Sequence, residues 1–539
     1  MLTATRPHTV PYALPDDTFA DLLLTAAREH PDALAVQDGE RSITYGELLT
    51  GARSVAAGLR SRGVAAGDCV LVQLPNWWET VVAAWGVILA GAVLVPVVPI
   101  YRERELGFVL GQVRPSAVIC AAGYRGHDHA ATLRSLLAGL GSTAALLVVR
   151  GDREGADAFE RLLEGEAGAV ADDGPAARAD DIAVVLYTSG TSADPKGVLH
   201  SHRTLLAEVR DIAGWCRLRP GAERVFMASP LSHITGLSYG ILLPVDLGGA
   251  VVLQERWDAH RAAALIEQTG CTFTVSATPF LRGLAEAYAG RGGSSLRTFV
   301  CGGADIPAAL VREASRVMGT RVLRTYGSTE LPTATMADPD ADPDAAAGSD
   351  GVAMGGNEVT TRPDASGSPE LLVRGPELFL GYLDGRLNGE AFTPNGWFRT
   401  GDLAEIGAGG AVRIVGRIKD VINRGGEKFS AAEIEAVLLT HPDVADVAVV
   451  AYPDPVLVER ACAFVVPRPG VRAPGVDELR SVVVGAGLAV QKSPERVLEV
   501  SELPRTASGK VQRYLLRDRV RREPGPPAAA RVDREAARG

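Results

Sequence analysis

Tyr187-Thr-Ser-Gly-Thr-Ser-Ala-Asp-Pro-Lys-Gly-Val198 is the stretch on which the reading of this chain turns. Small residues let backbone N–H groups point inward, the Thr and Ser hydroxyls add donors, and Lys196 brings a positive charge, so the stretch suits a loop that wraps a polyphosphate. Asp181-Ile-Ala-Val-Val-Leu-Tyr187 reads as a buried strand feeding that loop, and His202 to Trp215 reads as the helix after it. The pattern is not of the Walker type, because no Gly-Lys-Ser/Thr stands at the required spacing and the lysine follows a proline. Taken alone, a loop of this composition is more often a solvated turn, and the rest of the chain has to decide.

Further segments follow it in order. They are Ser229-Pro-Leu-Ser-His-Ile-Thr-Gly236, Cys301-Gly-Gly-Ala-Asp-Ile-Pro307, Thr325-Tyr-Gly-Ser-Thr-Glu330, Trp397-Phe-Arg-Thr-Gly-Asp402, Gly416-Arg-Ile-Lys-Asp420 with Asn423-Arg-Gly-Gly-Glu427, and Leu503-Pro-Arg-Thr-Ala-Ser-Gly-Lys510. With the loop, they resemble the signature of the adenylate-forming (AMP-binding) superfamily: acyl-CoA synthetases, aryl-acid ligases, luciferases and the adenylation domains of peptide synthetases. The resemblance spans about Phe19 to about Arg519. It departs at Ala193, where the family usually has glycine.

Joining a carboxylic acid to ATP brings a carboxylate against the α-phosphorus, so two anions must be neutralised. The resemblance implies how. Thr188, Ser189, Gly190, Thr191, Lys196 and Thr329 would hold phosphates, and Gly302, Gly303, Ala304, Tyr326 and Gly327 would line the nucleotide site, with Tyr326 facing adenine. Glu330 would hold magnesium through its carboxylate. Asp402, acceptor-only when ionised, would clasp the ribose hydroxyls, and Arg417 would reach ribose or phosphate with its fork of donors. Lys510 looks like the family's catalytic lysine, stabilising the charge shared in the transition state. His233 is a candidate gate or carboxylate contact at the acyl pocket. Lys419 stands at the family's hinge, about which the small domain would rotate before thiol attack. Gly425 and Gly426 would then line the thiol tunnel, where missing side chains leave room for a pantetheine arm.

The implied reaction is that of an AMP-forming acid–thiol ligase: an acyl-adenylate forms with release of pyrophosphate and passes to the thiol of coenzyme A. Pro75-Asn-Trp-Trp-Glu79, Ile100-Tyr-Arg-Glu-Arg-Glu-Leu106 and Arg125-Gly-His-Asp128 look like cyclohexanecarboxylate- and fatty-acid-type CoA ligases. Ile422-Asn-Arg-Gly-Gly-Glu-Lys-Phe429 is similar to aryl-acid AMP ligases, but Ile234 stands where the dihydroxybenzoate enzymes have asparagine. The family's Pro-Asp-x-x-x-Gly-Glu turn appears as Pro453-Asp-Pro-Val-Leu-Val-Glu459, with Val458 in place of glycine. A carrier protein or an amine therefore stays open as acceptor, and a small oxyacid such as nitrite as the activated acid, chemistry at home in secondary metabolism. A non-catalytic nucleotide sensor is the alternative from another class, and the presence of Lys510, Glu330 and Asp402 together opposes it.

The bulk properties bound the rest. A chain of 539 residues is long enough for two or more domains. A net charge of −10 without a dense basic stripe argues against nucleic acid as a partner. Six scattered cysteines carry neither disulfide nor zinc spacing, and no secretory signal is visible at Met1, which points to a reducing cytoplasm. Val81 to Ile100 is apolar enough to span a membrane by length, but Gly91, Pro96 and Pro99 favour a buried helix followed by a buried strand.

The expected fold is α/β. A large N-terminal domain (residues 1–418) of layered α/β subdomains plus a β subdomain, from Glu370 to Arg417, holds the ATP and acid site. A hinge joins it to a small mobile α+β domain (419–520), and 521–539 is read as a disordered tail. Phe19 to Arg62 reads as helices around a turn and strand, Ala431 onward as an amphipathic helix, and Val444 to Ala451 as a strand paired with Ala461 to Pro467. Asp338-Pro-Asp-Ala-Asp-Pro-Asp-Ala is read as a solvated surface loop.

Overall fold

The computed structural model describes residues 16–151, 157–164, 177–188, 195–303, 306–363, 367–425, 427–506 and 509–523. Ser189, Gly190, Thr191, Ala193, Ala304 and Gly426 lie outside the described residues, as does the expected tail from 524 onward.

Two largely parallel sheets carry the bulk of the chain. One has eight strands, in which Ile182–Thr188, Val93–Pro96, Cys69–Gln73, Ala117–Ala121 and Ala145–Val149 run parallel in that order. The other has nine, with Arg321–Tyr326, Thr298–Gly302, Phe273–Ala277, Arg224–Met227, Ala250–Leu253 and Leu34–Asp38 as its parallel centre. Short valine-rich runs form these strands because both faces are covered, so no polar alternation is needed.

The covering layer explains the most apolar segment. Trp78–Leu89 is a helix of 12 residues, buried from Glu79 to Leu89, shorter than the roughly 20 residues a membrane span needs. A helix apolar all round belongs inside a protein. Its residues share one core with Tyr45–Ser61, with His202–Trp215 and with strand residues of both sheets, such as Val70 and Val184 from one and Val251 and Phe273 from the other. The strand Val93–Pro96 follows it, as the sequence indicates. No helix among the described residues is long and apolar enough to cross a membrane.

Phe19–Glu29 and Tyr45–Ser61 are helices separated by the hairpin Leu34–Asp38/Arg41–Thr44, two strands where one was expected. The β subdomain expected from Glu370 begins earlier, as an antiparallel sheet of four strands, Glu358–Pro363, Pro369–Arg374, Phe398–Ile406 and Val412–Arg417. The acidic stretch after Asp338 is partly helical, over Pro343–Gly348, and Arg217 and Arg312 pair with Asp340 and Asp344.

The small C-terminal domain follows. Val412–Arg417 leads through the turn Ile418–Asp420 into Val421–Arg424, the first strand of a five-stranded sheet. Successive residues of Val444–Asp454 point to opposite faces. Val447 and Val449 pack with Ile434 of the helix Ala431–Leu438, while Ala448 and Val450 pack with Leu516 and Val520 of the helix Arg513–Arg522. That last helix runs past residue 520 to Arg522. It is tied to the turn Ile418–Asp420: Arg517 pairs with the Asp420 carboxylate and donates to the Lys419 carbonyl at 3.1 Å, and Arg513 stands 3.7 Å from Asp420.

Candidate active site

The strands on either side of the expected phosphate loop are neighbours. Thr188 closes Ile182–Thr188 and pairs with Lys196, which opens the antiparallel strand Lys196–Ser201. The sequence reading placed a loop and then a helix here and missed this second strand, which is buried from Gly197 to Ser201. Ser201 then caps His202–Trp215, its hydroxyl accepting from Thr204 N–H.

Thr325-Tyr-Gly-Ser-Thr-Glu330 leaves the end of Arg321–Tyr326. Gly327 is required by close approach, because a Cβ there would stand 1.8 Å from the Pro332 carbonyl oxygen. The fold back onto Pro332 presents Thr329 and Glu330 together. The Glu330 carboxylate accepts from the Tyr382 hydroxyl at 2.7 Å. Lys196 Nζ lies 4.8 Å from the centre of the same tyrosine ring, so Tyr382 links Lys196 to the Glu330 carboxylate. Sequence reasoning missed Tyr382, which sits on the two-residue strand Gly381–Tyr382 paired to Val198 and Leu199.

Tyr326, Asp402 and Arg417 form a second group. The Tyr326 hydroxyl donates to Asp402 Oδ2 at 2.6 Å, and Arg417 Nε lies 3.1 Å from Asp402 Oδ1. Phe398–Ile406 and Val412–Arg417 are paired with Asp402 opposite Arg417, so the antiparallel register makes the ion pair. Asp402 holds the Arg417 guanidinium above its ordinary range, and burial followed by Asp402 pushes the Tyr326 hydroxyl well above its own.

Lys510 reaches this group from the small domain. Thr506 N–H donates to the Lys510 carbonyl and Lys510 N–H to the Thr506 hydroxyl, at 2.8 and 3.1 Å. Gly509 has a positive φ of 84° and seats against Pro279 of the large domain. Lys510 Cε stands 3.9 Å from where a Cβ of Gly303 would be. Burial and then the Arg417 charge lower the Lys510 ammonium below its ordinary range, while Asp402 and Glu330 oppose them. His233 feels the same cation: burial, then Lys510, lowers its imidazole to about 4, so the ring is neutral near pH 7. The turn carrying His233 is braced by Asn76, whose side chain donates to the Ser229 carbonyl at 2.9 Å and accepts from Leu231 N–H at 2.9 Å.

Lys510, Glu330, Asp402, Arg417, Gly303 and His233, scattered over about half of the sequence, are thus brought together. Gly425 instead faces its own domain, its N–H donating to the Leu457 carbonyl at 2.7 Å. Beside it Val458 has φ 65°. The backbone there takes the left-handed form that glycine adopts freely and a β-branched residue resists.

Residues 23–383 match the family described as AMP-binding enzyme, and residues 433–510 match the AMP-binding enzyme C-terminal domain. The chain is 34% identical to the medium-chain fatty-acid–CoA ligase of Escherichia coli (strain K12), over 94% of this chain and 91% of that protein. It is also 34% identical to a salicylyl-CoA synthase / salicylate adenylyltransferase of a Streptomyces species, over 92% of each. Among solved structures, ATP-bound MatB from Rhodopseudomonas palustris superposes with a TM-score of 0.83 at 28% identity, covering 93% of this chain and 99% of that one. The chain belongs to the AMP-binding enzyme family, whose two-domain architecture it shares.

Proposed function

We propose that this protein activates a carboxylic acid with ATP to an acyl-adenylate, releasing pyrophosphate, and then transfers the acyl group to coenzyme A. The observation that carries the reading is the convergence of Lys510 from the small domain on Asp402, Arg417 and Glu330 of the large one. In this reading Lys510 is the cation at which a carboxylate and an α-phosphate would meet, with a neutral His233 beside it. An ammonium fixed before substrates arrive stabilises the charge of the transition state without reorganisation. Asp402 accepts hydrogen bonds from the ribose hydroxyls once Arg417 and Tyr326 have set its orientation.

Magnesium fits this site through Glu330. The described residues contain no cluster of three or more metal-ligating side chains, and magnesium is usually held by one or two carboxylates, substrate phosphates and water. When bound, it would neutralise the charge on the phosphates. Tyr382 orients the carboxylate that would hold it.

The large domain, residues 1–418, would supply ATP and acid binding, and residues 419–520 would turn about Lys419 to present Gly425 and Gly426 for thiol attack. The Asp420–Arg517 pair makes the last helix move with the turn. The six cysteines are all buried and free, which suits a reducing cytoplasm. One observation favours a second reading of the acceptor. Val458 brings an exposed isopropyl group into the turn next to Gly425, and an acceptor other than free CoA, a carrier protein or an amine, accounts for it.

The test is mass spectrometry of products after incubation with ATP, magnesium and a panel of aliphatic, alicyclic and aryl acids, plus nitrite with an arylamine, each with and without CoA. Acyl-CoA from one acid class is the expected result. AMP release indifferent to CoA would move the acceptor to a carrier protein or amine, and no pyrophosphate with any acid would overturn the proposal.

A further inference from the structure

His200 is fully buried on the strand Lys196–Ser201, four residues beyond the phosphate-loop lysine. Alternate residues of a strand share a face, so Lys196, Val198 and His200 point the same way, and Tyr382 stands opposite Val198 on the neighbouring strand. That face lies beneath the segment carrying Thr329 and Glu330. His200 Nε2 is 2.7 Å from the Thr329 carbonyl oxygen. A carbonyl only accepts, so Nε2 carries the hydrogen. Nδ1 is 3.0 Å from Thr204 Oγ1, in the first turn of His202–Trp215, and this second contact fixes the ring.

The bond matters because of where the carbonyl sits. Thr329 and Glu330 share the peptide unit that His200 holds. The Glu330 carbonyl accepts from Phe379 N–H at 2.8 Å and its carboxylate accepts from Tyr382. Phe379 and Tyr382 thus fix Glu330 itself, while His200 fixes the peptide before it from the phosphate-loop strand. A carboxylate that is to hold a metal on the phosphates, and a hydroxyl that is to touch them, both depend on that peptide's orientation.

We propose that His200 is a positioning residue for nucleotide binding: through the Thr329 carbonyl it sets the Thr329 hydroxyl and the Glu330 carboxylate against the ATP phosphates, and touches neither ATP nor the acid itself. The inference rests on the ATP reading above and adds a residue that reading does not use. It acts on the phosphate side of the site, away from the acyl pocket around His233.

The experiment measures ATP affinity by calorimetry with magnesium, needing no knowledge of the acid, in wild type, His200→Leu, His200→Asn and His200→Gln. Glutamine carries an amide N–H to about where Nε2 stands. Leucine removes the donor, leaving a buried carbonyl unsatisfied, and asparagine is one methylene short of it. ATP Kd is expected to rise about tenfold in H200L and H200N and to return to within about threefold of wild type in H200Q. Once an accepted acid is known, its KM should stay within about twofold in all three variants, which a general loosening of the fold would not allow. Should leucine prevent folding, the Asn and Gln pair carries the comparison alone. Unchanged ATP affinity in the folded donor-less variants, or loss in H200Q equal to theirs, overturns the inference. A wild type that binds no ATP overturns it together with the functional proposal.

Discussion

Replacing Lys510 by alanine should separate the two half-reactions. The ammonium lies in a partly buried site with Arg417, Asp402 and Glu330, and it is the cation that the small domain brings to this spot. A unit charge about 4 Å from a developing negative charge is worth about 4 kcal/mol at an effective dielectric of about 20. Each ~1.36 kcal/mol is tenfold in rate, so adenylation should fall about a thousandfold. Pyrophosphate release reports that step. Transfer from a supplied acyl-adenylate to CoA breaks the acyl–phosphate bond at the carbonyl carbon rather than at the α-phosphorus, and in the proposed rotated arrangement Lys510 would be withdrawn, so this step should stay within about threefold. The pH profile gives an independent check. The lysine works protonated and its site lowers its pKa, so wild-type kcat/KM for adenylation should fall on the alkaline side before the usual lysine range is reached. Equal loss of both half-reactions in K510A would refute the two-arrangement account, and an alkaline limb at or above the ordinary lysine range would refute the electrostatic one.

Three further perturbations probe the framework. Glu208 and Glu377 are fully buried, and Asp211 and Tyr239 lie beside them; burial raises both glutamates, so the folded protein keeps a proton that the unfolded chain releases above about 4.3. Stability should therefore decline as pH rises from there toward the raised values, and thermal melts of Glu377→Gln should show a shallower decline; identical slopes would count against the pair. Gly327→Ala places a methyl on the Pro332 carbonyl and must displace the Thr329–Glu330 segment, so ATP affinity measured by calorimetry should drop more than about tenfold, with about 1–3 kcal/mol of overpacking visible in the melt. Val458→Gly relieves left-handed strain and should raise stability by about 1 kcal/mol while leaving pyrophosphate release unchanged. A drop in denaturant midpoint would show that the exposed side chain has a structural role.

Local pattern revealed what is local. The continuous apolar, β-branched run of Ile182–Thr188 and the 3.6-residue period of His202–Trp215 are visible in a dozen residues, and the structure has both elements there. The apolar run at Trp78–Leu89 was legible as buried because breakers follow it at once. Lys196–Ser201 was not legible, since six residues ending in His-Ser before a helix look like a loop run-in; its strand character comes from Ile182–Thr188 on one side and Gly381–Tyr382 on the other. The latter neighbour is nearly two hundred residues away, beyond any window of periodicity.

The candidate site divides along the same line. Asp402, Arg417, Glu330 and Lys510 are candidates because each stands in a motif, yet no motif states that Asp402 faces Arg417; the register of two antiparallel strands does. Side chains that orient rather than react have weaker signals still. His200 meets Thr329 across 129 positions, Tyr382 meets Glu330 across 52, and Glu208 meets Thr333 across 125. Each contact is made by a residue type that a buried strand or helix could carry for packing alone, and only the partner distinguishes the two cases. On the proposed reading a motif in this chain therefore marks where charge would be neutralised, while the precision of that neutralisation would lie in residues whose contacts exist only once the two sheets have closed on their helices. Substituting a motif residue should remove a step of chemistry, and substituting one of its supports should weaken binding and leave the chemistry in place.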